Sequence, residues 1–254
     1  MSTSIRSVDT LVDTPDGPMQ TYVTRPDHDR PVPLVVFLMD APGKRPLLHG
    51  MADRIAGHGG GHHVVLPNLY HRATDHFELD FQRAESLQRM TELMYGVGTR
   101  QAMADVEVLL DVAAADPTVD ASQVGVVGYC MSGPFAIVAA ARFATRVRCA
   151  ASFYGVRLVV DRPDSPHALL PEVTGELYVA CAEHDDYVPL AMVDDFEAAF
   201  VAAGTRGNVE RYWGMHHGFA FGDRAQHDPE GERRHWEALL SLFDRNLAAA
   251  PDAR

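Results

Sequence analysis

The chain is poor in cysteine. It holds three in 254 residues, Cys130, Cys149 and Cys181, too few and too scattered for a disulfide framework or a zinc knuckle. Cys149 and Cys181 sit in apolar, strand-like runs and read as small buried thiols. No uninterrupted apolar run approaches the roughly 20 residues of a membrane-spanning helix. The opening Met1-Ser2-Thr3-Ser4-Ile5-Arg6 lacks the apolar centre of a secretory signal. Basic residues are also scarce, 22 against 35 acidic, and the net charge is −13. No basic run or patch is visible, which argues against a nucleic-acid partner. The acidic excess itself speaks to solubility and not to substrate. A cytoplasmic protein with neither a nucleic-acid nor a membrane partner is expected, its oligomeric state left open.

Ligand frames are missing too. Thirteen histidines invite a metal reading, but the adjacent pairs His62-His63 and His216-His217 point apart on a strand. His58 and His62 have the spacing of a helical chelate, yet Gly59-Gly60-Gly61 lies between them and opposes the helix. That glycine cluster is followed by neither Lys-Ser/Thr nor a G-x-G-x-x-G frame, so it reads as a loop. No metal and no cofactor is expected. There is also no internal repeat, low-complexity tract or linker.

Hydrophobic residues make up 46 % of the chain, enough for a sizeable core, and the expectation is a single domain over residues 1–254. Residues 6–25 read as a hairpin turning at Thr14-Pro15-Asp16-Gly17-Pro18. The run Pro33 to Met39 reads as a strand buried on both faces. It ends in the loop Asp40-Ala41-Pro42-Gly43. A helix over Leu48–Ala56, a strand over His63–Pro67, helical periodicity over 80–95 and Thr99–Ala115, and a strand over 123–128 follow. Then come a helix at 134–145, strands at 150–154 and 177–181, a helix at about 190–203 and a strand at about 208–212. The last helix, about 231–247, places Trp236, Leu239, Leu240, Phe243 and Leu247 on one face. This alternation predicts an α/β fold, a mostly parallel central sheet with helices on both faces, its first edge made antiparallel by the hairpin. Ligands bind such sheets at the carboxyl ends of the strands. Asp40, Cys130, Tyr154, Asp185 and His217 all fall just after predicted strands.

The most informative stretch is Val124-Gly125-Val126-Val127-Gly128-Tyr129-Cys130-Met131-Ser132-Gly133. A β-branched run enters a turn of small residues, a cysteine sits at the tip, and a helix leaves. This is the layout of a nucleophile elbow, whose tip residue adopts a positive φ and whose neighbours must be small. A nucleophilic cysteine needs a base and a group to orient it. In such folds the chain order is nucleophile, acid, histidine. Asp185 and His217 supply that order. Asp186 and His216 stand beside them as alternatives, and Ser132 as an alternative nucleophile.

Together these positions resemble the dienelactone hydrolase family of α/β-hydrolases. The resemblance rests on Gly-Tyr-Cys-x-x-Gly at 128–133, Asp-x-x-Val-Pro at 185–189, His-x-Phe-Ala at 217–220 and Pro67-x-Leu69-Tyr70. It implies the α/β-hydrolase fold, with Cys130 as nucleophile, His217 as general base and acid, and Asp185 orienting His217. It also implies an oxyanion hole of the Met131 and Ala41 N–H groups. At Asp40 it implies an auxiliary carboxylate, one carbon shorter than the glutamate typical of the family. The expected activity is hydrolysis of a carboxylic ester or lactone through a thioester.

The resemblance has a gap. Dienelactone-opening members bind the substrate carboxylate with two arginines. Here Phe221 stands at one of those positions and, by a gapless count, Leu87 at the other, with Arg83 and Arg89 nearby. A pocket lined by Leu87, Phe221 and Tyr129 is expected to take a small neutral or apolar substrate and not dienelactone. Two other readings compete: a non-catalytic hydrolase-like protein that binds a small molecule, and a redox-sensing thiol protein.

Overall fold

A computed structural model describes residues 4–247. Contacts group them into two compact units, one reaching to Val124 and the other running from Gly125 to Leu247. Strands and helices alternate through both, and the eight strands make a mostly parallel sheet. The fold class is therefore α/β.

In the first unit the expected hairpin forms from β1 (Ile5–Thr14) and β2 (Gly17–Pro26), with Ile5 opposite Pro26 and Thr14 opposite Gly17. The Pro15-Asp16 turn closes because Gly17 takes φ 109° and the Thr14 hydroxyl donates to Gly17 O at 2.7 Å. Next come β3 (Val32–Leu38), α1 (Pro46–Ala56), β4 (His63–Pro67), α2 (Ala84–Gly96) and α3 (Thr99–Ala114). β2 pairs with β4 antiparallel, and β4 with β3 parallel. Every residue of β3 is buried, as its unbroken apolar run requires.

β5 (Val119–Tyr129) crosses the boundary between the units. It begins four residues earlier than the apolar pattern suggests. Asp120, Ala121 and Ser122 are polar or small and half-buried or exposed, so hydrophobic periodicity misses them. The second unit continues with α4 (Gly133–Arg142), β6 (Val147–Phe153), α5 (Pro166–Leu169), β7 (Glu176–His184), α6 (Leu190–Ala203), β8 (Gly207–His216) and α7 (Pro229–Asn246). Its strands lie in the order β5-β6-β7-β8, with β6, β7 and β8 parallel. The short α5 has no counterpart in the sequence pattern.

α7 starts two residues before the expected 231, for physical reasons. Pro229 occupies the first turn and Asp228 accepts from Gly231 N–H at 2.8 Å. Its buried stripe corrects the expected one. His235, Trp236, Leu239, Leu242 and Phe243 are covered, whereas Leu240 is only half-buried. Among the described residues no helix is long and apolar enough to cross a membrane.

Candidate active site

The elbow is built as its spacing predicts. Cys130 has φ 54°, a left-handed conformation that costs a side-chain-bearing residue about 1–3 kcal/mol and persists only where its surroundings enforce it. The enforcement is steric. A Cβ on Gly128 would stand 2.3 Å from Ser132 O, and one on Gly133 would stand 2.4 Å from Gly155 Cα. Only glycine lets the chain pass at either point. Ser132, which replaces the second small flanking glycine, is fully buried and closes the turn. Its Oγ accepts from Tyr129 N–H at 2.9 Å and donates to Tyr129 O at 3.1 Å. With its hydroxyl spent on Tyr129, Ser132 braces the tip. Cys130 itself is half-buried, three residues ahead of α4, whose N-terminal partial charge favours an anion.

Asp185 follows β7 and His217 follows β8. The two strands run in register until a bulge between Ala182 and His184, beyond which His184 faces His216. The bulge re-aims the strand end, and His217 N–H then donates to His184 O at 3.1 Å. The imidazole Nδ1 meets Asp185 Oδ2 at 2.7 Å, while Asp185 Oδ1 accepts from Tyr187 N–H at 2.9 Å. The Asp185 side chain is 1 % exposed. The alternatives lie elsewhere: Asp186 and His216 are exposed, and His216 packs against His184 with ring centres 4.7 Å apart.

Burial pulls the His217 pKa down, but the hydrogen bonds and charges of Asp185 and Cys130 outweigh it and raise it to about 10. The Nε2 atom is buried and meets no partner at hydrogen-bond geometry. Cys130 thus neighbours the imidazole without a formed hydrogen bond, as is common in a resting site that tightens around substrate. Two tyrosines flank the ring, Tyr154 and Tyr187, each with its ring centre 5.1 Å away. Tyr154 holds φ 39° and is buried, while Tyr187 is 65 % exposed. Tyr154 is one of the residues that the sequence pattern places at a strand's carboxyl end, whereas nothing local announces Tyr187 or the ring contacts.

The first unit places Asp40 and Ala41 directly after β3. Asp40 is 1 % exposed, and its carboxylate takes two hydrogen bonds from Arg45, at 2.5 and 3.3 Å. Gly43 N–H donates to Asp40 O at 3.0 Å, and the Tyr70 hydroxyl donates to Ala41 O at 2.7 Å. Tyr70 is held in turn by Asn68, whose side-chain oxygen accepts from Tyr70 N–H at 3.0 Å.

Of the residues expected to line a pocket, Phe221 and Tyr129 meet within the second unit, and Leu87 belongs to the first. Phe221 is buried, 4.9 Å from the Tyr129 ring and 5.8 Å from Tyr154. Tyr129 itself is fully buried, its ring stacked on Phe153 at 5.4 Å and its hydroxyl 2.7 Å from His235 Nε2. It is a core residue beneath the elbow and not an open pocket wall. Leu87 is 38 % exposed on α2. A small cavity of the first unit is lined by Leu69, Tyr70, Arg89, Leu93 and Val97 among others, and not by Leu87. Burial pushes the Cys181 thiol up to about 12 and the Cys149 thiol higher still. His63 is lowered to about 4 by burial, and His62 Nδ1 faces Ile55 O at 3.0 Å. Both are occupied as core and loop residues.

Comparison with known proteins agrees with this architecture. The profile of the dienelactone hydrolase family matches residues 19–247. A Synechocystis protein provisionally named carboxymethylenebutenolidase is 25 % identical over 94 % of this chain and 97 % of its own. The Rhodococcus opacus carboxymethylenebutenolidase is 28 % identical over 84 % of this chain and 81 % of its own. A Klebsiella pneumoniae crystal structure, provisionally named dienelactone hydrolase, superposes with a TM-score of 0.84 at 22 % identity, covering 95 % of this chain and 99 % of that one. With the elbow and the Asp185–His217 pair in place, the chain belongs to the dienelactone hydrolase family of the α/β-hydrolase superfamily and is a hydrolase of ester or lactone bonds.

Proposed function

We propose that this enzyme cleaves a small, neutral or apolar carboxylic ester or lactone through a thioester on Cys130. His217 takes the thiol proton, and Asp185 holds the imidazole with Nδ1–H directed at its carboxylate, leaving Nε2 for chemistry. The thiolate attacks the carbonyl carbon. The Met131 N–H and, by family resemblance, the Ala41 N–H receive the developing oxyanion, an interaction worth about 3–4 kcal/mol per donor in comparable sites. The carbon–oxygen bond breaks as His217 passes its proton to the leaving alkoxide. Water then adds to the thioester with His217 as base, which releases the acid and restores the thiol.

The observation that carries this reading is the 2.7 Å Asp185–His217 contact together with the pull of Cys130 on the same imidazole. Asp40 is read as the auxiliary carboxylate, restrained by Arg45. The substrate class rests on Phe221, a buried aromatic packed against Tyr154 where dienelactone-opening relatives are expected to carry an arginine. A substrate carboxylate left unpaired there would lose about 1–3 kcal/mol.

The test is a burst assay with 4-nitrophenyl acetate, run against stepwise alkylation by iodoacetamide. Peptide mass spectrometry follows which thiol reacts. The burst should vanish in proportion to Cys130 modification while Cys149 and Cys181, buried with raised pKa values, stay unlabelled. A wild-type enzyme without a burst, or one whose burst survives full Cys130 alkylation, would overturn the thioester mechanism. Efficient hydrolysis of dienelactone would overturn the substrate class alone.

A further inference from the structure

Most tyrosine hydroxyls near the cores of the two units are engaged. Tyr22 bonds Asp53, Tyr129 meets His235, and Tyr178 meets Tyr212 and Glu210. Tyr187 differs. Its ring is 65 % exposed, and its one ring contact among the described residues is an edge-to-face meeting with His217 at 5.1 Å and 64°. An exposed ring gains nothing for the core. Its placement is nevertheless fixed. Tyr187 N–H donates to Asp185 Oδ1 at 2.9 Å, and Val188 N–H closes the same turn on Asp185 O at 3.2 Å. The turn that presents the carboxylate to His217 therefore presents the Tyr187 ring too.

The chemistry of the leaving step says what would meet that ring. The group that departs must have its oxygen against His217, since His217 gives it a proton. Whatever is bonded to that oxygen then lies beside the imidazole, whose exposed aromatic neighbour is Tyr187. The acyl group is bonded to Cys130 and stays behind. We propose that Tyr187 is a specificity residue for the leaving group, a platform on which the aromatic ring of an aryl ester packs. The preferred substrates are then esters of phenols and comparable aromatic alcohols. This inference rests on the thioester reading above and names the leaving-group class for the same site. Aromatic pairs of this kind add to binding beyond the area they cover.

The experiment compares phenyl acetate with 2,2,2-trifluoroethyl acetate. Both carry activated leaving groups and an identical acyl group, and only one carries a ring. In the wild type and in Tyr187→Ala, kcat/KM is measured for both. The preference for phenyl over trifluoroethyl should fall about tenfold in Tyr187→Ala, equivalent to about 1.4 kcal/mol. Tyr187→Phe should keep the wild-type preference, and iodoacetamide should alkylate Cys130 at the wild-type rate in both variants. Equal losses for the two esters, with slower alkylation, would mean that the ring only steadies His217, and the inference would fail. Unchanged kcat/KM for both esters would overturn it as well. A wild type lacking the Cys130-dependent burst would sink the underlying mechanism instead, a separate result visible before any Tyr187 variant is made.

Discussion

Two turns in this molecule follow buried apolar strands and hold a residue proposed for catalysis, and they do it by opposite means. After β5 the Cys130 turn is fastened by backbone crowding. Gly128 and Gly133 pass so close to Ser132 and Gly155 that no side chain fits, and the nucleophile is forced to φ 54°. After β3 the Asp40 turn is fastened by side chains reaching in: Arg45 on the Asp40 carboxylate and Tyr70 on Ala41 O. One turn is a steric lock and the other a set of hydrogen bonds. A steric lock fails all at once, because overlap energy rises steeply over tenths of an ångström. A hydrogen-bonded turn fails by increments, one donor at a time.

The sharpest way to break that contrast is Gly128→Ala. The added methyl would sit 2.3 Å from Ser132 O, a backbone atom in a buried turn. The turn must open, at about 1–3 kcal/mol of stability. It also carries Cys130 away from His217, and misplacement by about 1 Å is enough for a 100-fold loss. Turnover of 4-nitrophenyl acetate should drop at least 100-fold, with a lower thermal midpoint. Near-wild-type turnover would show that the elbow is not sterically locked.

The same contrast explains what could be read from the sequence. The elbow was legible because its constraint is local: a β-branched strand, two glycines and a cysteine at fixed spacing admit few other conformations. The hairpin, β3, β4 and α6 were legible for a similar reason, being set by turn residues and by unbroken or periodic apolar runs. The early start of β5 was hidden by its polar residues. The bulge between β7 and β8 was hidden because it depends on two strands far apart in sequence, so Asp185 and His217 were preferred to their neighbours on motif spacing alone. Ser132 as a brace and Tyr129 as a core residue were unreadable too. Each depends on which way a side chain faces once the turn has closed. The pairing of Arg45 with Asp40 lay only five residues away, yet nothing in the pattern required it.

The second test concerns charge. The His217 pKa is raised to about 10 against an ordinary 6.5, with burial opposing and Asp185 and Cys130 driving the rise. A raised folded-state value means the native state holds the proton more tightly than the unfolded chain. The resulting stabilisation is fully present below about pH 6.5 and is lost as pH climbs through about 10, a window of a few kcal/mol at most. Urea midpoints measured from pH 6 to 10.5 should fall across that range in the wild type. In Asp185→Asn the fall should begin at the same pH, which the unfolded chain sets, but end at lower pH and be smaller, because the strongest raising partner is gone. Superimposable pH profiles would show that Asp185 and His217 are not coupled in the folded protein.

The smallest expected effect tests the gentler turn. Gly43 N–H holds Asp40 O at 3.0 Å, and Tyr70 holds Ala41 O at 2.7 Å. The peptide joining Asp40 to Ala41 is planar and trans, so fixing its carbonyl fixes the opposite direction of the Ala41 N–H. The Tyr70 bond pins the next plane, and the Ala41 N–H is then aimed by two hydrogen bonds and not by sterics. Tyr70→Phe removes one of them without changing the ring, at about 1 kcal/mol of stability. If Ala41 is an oxyanion donor, acylation by 4-nitrophenyl acetate should slow about three- to tenfold. Alkylation of Cys130 by iodoacetamide forms no oxyanion and should keep its rate. The two reactions share the thiolate and His217 and differ only in the charge that develops on oxygen. Equal slowing of both would place the damage at the nucleophile, and the two turns would no longer be separable devices.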